Sequence, residues 1–85
     1  MGEAINAAAS RYSMLIEWSD EDQAYIVTLP EWEAAHYVGN THGSTRAEAL
    51  VAGEELIESW LEYVQQEGET PPPARIFDSK AGAGV

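Results

Sequence analysis

The pattern of apolar positions changes period along the chain. In YSMLIEW (12–18), Tyr12, Met14, Ile16 and Trp18 fall on one side and Ser13, Leu15 and Glu17 on the other. A period of two predicts a half-buried strand. AYIVTL (24–29) is rich in β-branched and aromatic residues and predicts a second strand. Pro30 ends it, because proline cannot donate to a strand ladder. The residues between, SDEDQ (19–23), have the length of a hairpin loop. EWEAAHYVGNTHG (31–43) is less regular. It predicts a weak third strand over 36–38, with Gly39 and Gly43 marking turns. Trp32 falls in a loop, where it either folds back onto the core or forms a contact surface.

The period then lengthens. TRAE (45–48) is a capping box: the Thr45 hydroxyl accepts from the Glu48 N–H, and the Glu48 side chain can return to the Thr45 N–H. The helix it starts runs to about Glu67 and stops at Gly68. That is about 22 residues, or roughly 33 Å. Ala49, Leu50, Gly53, Leu56, Ile57, Trp60, Leu61 and Val64 form one broad face, with Glu48, Glu55, Glu58, Glu62 and Gln66 opposite. Val51 breaks the pattern and sits on the polar side. Residues 1–11 predict a short helix or an N-terminal arm. ETPPPA is a stiff extended segment, RIFD (75–78) a short final strand, and 79–85 a disordered tail. The expected fold is one α+β domain over 1–85: a three- to four-stranded, mainly antiparallel sheet with one long helix on one face.

Charge narrows the function. Fifteen acids against four bases give a formal net charge of -11. Phosphate backbones repel such a surface, and Arg11, Arg46, Arg75 and Lys80 are too scattered for a basic stripe. The expectation is no direct nucleic-acid binding and, if the charge is used, a basic protein partner. With no cysteine there is no disulfide framework and no Cys-based zinc site. No apolar run is long enough to span a bilayer, and no secretion signal precedes the first helix. A soluble cytoplasmic protein without membrane attachment is expected.

Counting Asp20 as position 1 of a calcium loop puts Asp22 at 3 and Glu31 at 12, but Tyr25 stands where the turn needs glycine. A two-metal site needs carboxylates that converge from separate elements, and only Glu17 lies well inside a strand. His36 and His42 lack a fixed third ligand. The expectation is no enzyme, no metal and no cofactor. Asp20, Glu21 and Asp22 then read as the bend of a hairpin with an acidic surface. Together with Trp32, His36 and Tyr37 they are the candidate partner or oligomer interface. A small core carrying three tryptophans and four tyrosines also points to a homo-oligomer, with Trp32 and Tyr37 as anchors.

Three blocks in order carry a resemblance: YSMLIEW with its acidic turn and AYIVTLPE; THGSTRAEAL; and EELIESWLEYVQQEGETPPPAR. Over about residues 12–75 the chain resembles the HicB-like antitoxin family. The resemblance implies a partial ribonuclease-H-like fold without nuclease activity. It also implies neutralisation, by protein–protein contact, of a small basic HicA-type mRNA interferase toxin. Two departures stand out. EWEAAHYV replaces the family's common Pro-Gly turn, and the residues after Gly68 leave no room for the DNA-binding unit that many members carry. The chain therefore looks like a solitary short form, with a stand-alone oligomeric interaction domain as the alternative role.

Overall fold

The computed structural model describes residues 2–78; the tail expected over 79–85 lies outside the described residues. The elements are α1 (Gly2–Ala9), β1 (Leu15–Ser19), β2 (Ala24–Thr28), α2 (Pro30–Ala34), β3 (Thr41–Gly43) and α3 (Arg46–Gln66). The strands form an antiparallel sheet in the order β1-β2-β3, with α3 packed against one face. This is the α+β arrangement expected of the sequence.

β1 and β2 pair with Ile16 opposite Val27 and Trp18 opposite Tyr25, while Tyr25 and Val27 face Gly43 and Thr41 across β3. Those side chains lie under α3, and Leu15, Glu17, Ile26 and His42 point to the other face. The strand begins three residues later than the alternation starts. The Ser13 N–H is taken by the Glu31 carboxylate, and Tyr12 closes the turn after α1 through its N–H to Ala9 O. The hairpin loop is correspondingly Asp20–Gln23, with Gln23 in the left-handed region.

The segment after Pro30 differs from expectation. It is a short helix, not a loop. Leu29 is its extended N-cap and Pro30 stands at its start, where a fixed φ costs nothing. Glu31 and Glu33 suit the positive end of the helix. The expected strand over 36–38 is absent, because those residues close α2: the His36 N–H donates to Glu33 O at 3.0 Å and the Tyr37 N–H to Trp32 O at 2.9 Å. His36 adopts φ +71°, a conformation no strand contains. The third strand forms instead at Thr41–Gly43.

α3 starts where the capping box placed it. The Glu48 N–H donates to Thr45 Oγ1 at 3.1 Å, worth about 1 kcal/mol. The Glu48 carboxylate returns to the N–H of Ser44, one residue before the expected partner. At the other end the Gly68 N–H reaches Gln65 O and the Glu69 N–H reaches Val64 O, with Gly68 at φ +69°. Those are the two bonds of a Schellman stop. Ala49, Gly53, Ile57, Leu61 and Val64 are buried, as the helical period requires. Gly43 permits the close approach: a Cβ there would lie 2.3 Å from the Ala49 nitrogen.

The core joins Val27 and Leu29 to the buried face of α3, with Ala9 of α1 closing one side. Each fully buried aliphatic contributes about 1.5–3 kcal/mol. Trp32 is completely buried at its centre. The RIFD segment belongs to no strand, so among the described residues the sheet has three strands.

Candidate functional site

The residues grouped by sequence as an interface fall into two places. Asp20, Glu21 and Asp22 form the bend after Ser19, at one end of β2. Trp32, His36 and Tyr37 belong to α2 and its exit, beyond the other end of β2. Five strand residues, about 13 Å, separate the two groups.

The acidic bend is held by its own neighbours. Trp18 Nε1 donates to Asp20 Oδ1 at 2.6 Å, Ser19 Oγ to Asp22 Oδ2 at 3.0 Å, and Gln23 Nε2 to Asp20 O at 2.7 Å. The carboxylates remain in water. Trp18 is half exposed, its ring set edge-on against Tyr25 at 5.2 Å, and the Arg46 guanidinium lies over the Tyr25 ring.

The other end is built differently. Trp32 corrects the expectation of a surface anchor: its ring packs against Tyr12, Tyr37 and Trp60 with centroids 5.0–5.4 Å away. A large aromatic one turn into a helix that follows a core strand has nowhere to go but the core. Its Nε1 is buried without an acceptor among the described residues. Tyr37 is half buried and donates its hydroxyl to Glu69 Oε1 at 3.1 Å. Burial first, then that bond and the Glu69 charge, raise its pKa. His36 is exposed and serves as the left-handed residue that ends α2.

Beside Trp32 lies a residue that sequence reasoning treated only as an acid: Glu31 is buried. Its Oε2 accepts from the Arg75 N–H at 2.8 Å and from the Ser13 N–H and hydroxyl at 3.1 and 3.0 Å. Oε1 shares the Ser13 N–H at 3.2 Å. Burial pushes the carboxyl upward, but hydrogen bonds from the N–H groups of Arg75, Glu31 itself and Ser13, with the Ser13 hydroxyl, prevail and lower its pKa. Glu31 thereby ties α2 both to the entry of β1 and to the proline segment. The Tyr12 hydroxyl adds a short bond to Pro72 O, and the Tyr12 pKa is raised by burial and by the Glu31 charge. Residues 69–75 thus form a strap fixed at Glu69, Pro72 and Arg75. A cleft of about 520 Å³ lies between α2 and this strap, but its one acid, Glu31, is spent on these bonds.

The outer face of α3 holds the remaining feature. Val51, the residue that broke the helical pattern, is 55% exposed. It lies in a shallow depression of about 330 Å³ with Ala47 and Ala52, and Glu48 and Glu55 stand at its rim. An apolar floor with carboxylates beside it suits the stem and head of a lysine or arginine. The helical wheel held the signal: an apolar residue on a polar face with no core to fill.

Among the described residues, no group of three or more histidines and acids is placed to hold a metal ion, and no helix is long and apolar enough to cross a membrane. Comparison of the chain with family models, curated proteins and solved structures gives no match.

Proposed function

We propose that the chain is an antitoxin-like protein that binds a small basic HicA-type mRNA interferase and neutralises it by protein–protein contact. The observation that carries the reading is the Val51 depression on α3, rimmed by Glu48 and Glu55 and flanked along the helix by exposed Glu62. Such a surface repels RNA and attracts the basic residues a ribonuclease uses to hold RNA. The sequence resemblance supplies the kind of partner. The acidic bend at Asp20–Asp22 extends the field that steers it. No catalysis, metal or cofactor is part of the role, and the protein acts where a toxin of that kind acts, in the cytoplasm.

A direct test titrates the chain into an RNA-cleavage assay with the basic HicA-like ribonuclease of the same cell. Cleavage should stop near stoichiometric addition. Val51→Arg, a substitution on an exposed helix position, should abolish inhibition while circular dichroism stays unchanged. Cleavage that continues in stoichiometric excess removes the toxin reading. A stand-alone oligomeric domain is then favoured, for which the two open edges of the sheet speak.

A further inference from the structure

We infer that Met14 is a redox-sensitive position of this fold: a peroxide reaches its thioether from solvent, and the sulfoxide formed there loosens α3 from the sheet. This rests on different residues from the toxin reading and does not depend on it.

The sequence holds no cysteine and two methionines, Met1 and Met14. Met14 stands just before β1 and continues the alternation of Ile16 and Trp18, so its side chain points under α3. It meets Gly53 there. A Cβ at Gly53 would lie 2.8 Å from Met14 Sδ and 3.1 Å from Met14 Cε, with Val27 Cγ1 at 3.0 Å. The thioether fills the place that a side chain at position 53 would take. That contact accounts for a glycine in the middle of α3, where it is otherwise a poor helix former. The sulfur is not sealed off, however. Met14 is half buried and lines a surface depression of about 230 Å³ with Ala9, Ser10, Tyr12, Leu50 and Glu54. Water and a molecule the size of hydrogen peroxide fit that space.

Attack of the sulfur lone pair on hydrogen peroxide forms the S–O bond and breaks the O–O bond. Water leaves, and the sulfur is oxidised by two electrons. The new oxygen is a strong acceptor and needs a donor. The Ser10 hydroxyl already donates to Ala7 O at 2.9 Å, and the Tyr12 hydroxyl donates to Pro72 O. The Ser10 and Tyr12 N–H groups donate to Asn6 O and Ala9 O. Glu54 brings a carboxylate, which only accepts. An oxygen held inside the depression therefore has no partner among these groups. An oxygen turned out to water draws the sulfur and its methyl away from Gly53, which has no side chain to close the gap. Both outcomes weaken the seat of α3 at the entry to β1. A sulfoxide reductase reverses the change: a dithiol is oxidised to a disulfide, the oxygen leaves as water, and the thioether returns.

The test treats the full chain with hydrogen peroxide and reads it by peptide mass and urea denaturation. Met14 should gain one oxygen. The unfolding constant should rise about tenfold, the size expected for one polar group without a partner. Sulfoxide reductase and a dithiol should return the urea midpoint to its starting value. Met14→Leu keeps the volume and removes the sulfur, so its midpoint should not respond to peroxide. Met1 is present in both chains, which separates its oxidation from that of Met14. A Met14 that stays unmodified while free methionine in the same solution is fully oxidised overturns the inference. So does an oxidised chain with an unchanged midpoint, a Met14→Leu chain that loses as much stability in peroxide, or a loss that the reductase does not reverse.

Discussion

The two ends of the β1–β2 hairpin are both acidic, and they use their acids in opposite ways. At the bend, Asp20 and Asp22 bond to residues two and three positions away and stay in water. Beyond the other end, Glu31 bonds to residues 18 and 44 positions away and is buried. A carboxylate that closes a local turn organises only that turn. A carboxylate that gathers N–H groups from distant segments fixes the fold, and its loss exposes unpaired donors in the interior. Composition cannot separate the two cases, because the residues are of one type; the partners' separation along the chain does.

Substitutions should rank the two ends. Trp32→Ala removes the ring shared by Tyr12, Tyr37 and Trp60 and should cost about 3–5 kcal/mol. Urea denaturation reads this directly, and a midpoint shift no larger than that of a bend substitution would erase the contrast. Glu31→Gln comes next, at about 1.5–3 kcal/mol, since the amide turns its own donors toward the N–H groups of Ser13 and Arg75. This substitution also carries a pH signature. The Glu31 pKa is lower in the folded state than in the unfolded chain, so its contribution is complete above the unfolded value and is lost as pH falls through the folded value. The difference in stability between wild type and Glu31→Gln should shrink in acid. A difference independent of pH would mean the charge is irrelevant to the tie.

His36→Gly should act in the opposite direction, gaining about 1 kcal/mol by relieving a left-handed histidine. Thermal unfolding would show a higher midpoint; a lower one would mean the His36 side chain supports α2. The smallest effects belong to the bend. Glu21→Gln should change stability by less than about 0.5 kcal/mol, as expected of an exposed residue away from caps and core. A larger loss would place that end of the hairpin among the structural determinants.

The elements that could be read from sequence were those specified locally. The Thr45 cap, the stop at Gly68 and the alternation of Ile16 and Trp18 each depend on residues within a turn or a strand of one another, and each is where the pattern put it. The misplaced elements depend on distant partners. Residues 36–38 resemble a strand until α2 uses them for its own closure. Tyr12 and Ser13 continue the strand pattern, but Glu31 claims the Ser13 N–H from 18 positions away. Trp32 was legible as a large aromatic in need of a place, though not as the centre of the core, because the rings around it come from the α1–β1 connection, the exit of α2 and the middle of α3. Of the candidate interface residues, the acids at the bend are exposed as their pattern suggests and Trp32 is buried, while the exposed apolar residue on α3 was visible solely as an irregularity at Val51.

The Arg75 tie to Glu31 also sets a timetable. A ribosome adding about 5–20 residues per second makes Arg75 roughly two to nine seconds after Glu31, 44 residues upstream. During that interval the chain adds β3 and α3, while the carboxylate still lacks its tightest donor. The nascent domain therefore holds one acid in waiting, and its interior closes over Glu31 only when the proline strap arrives.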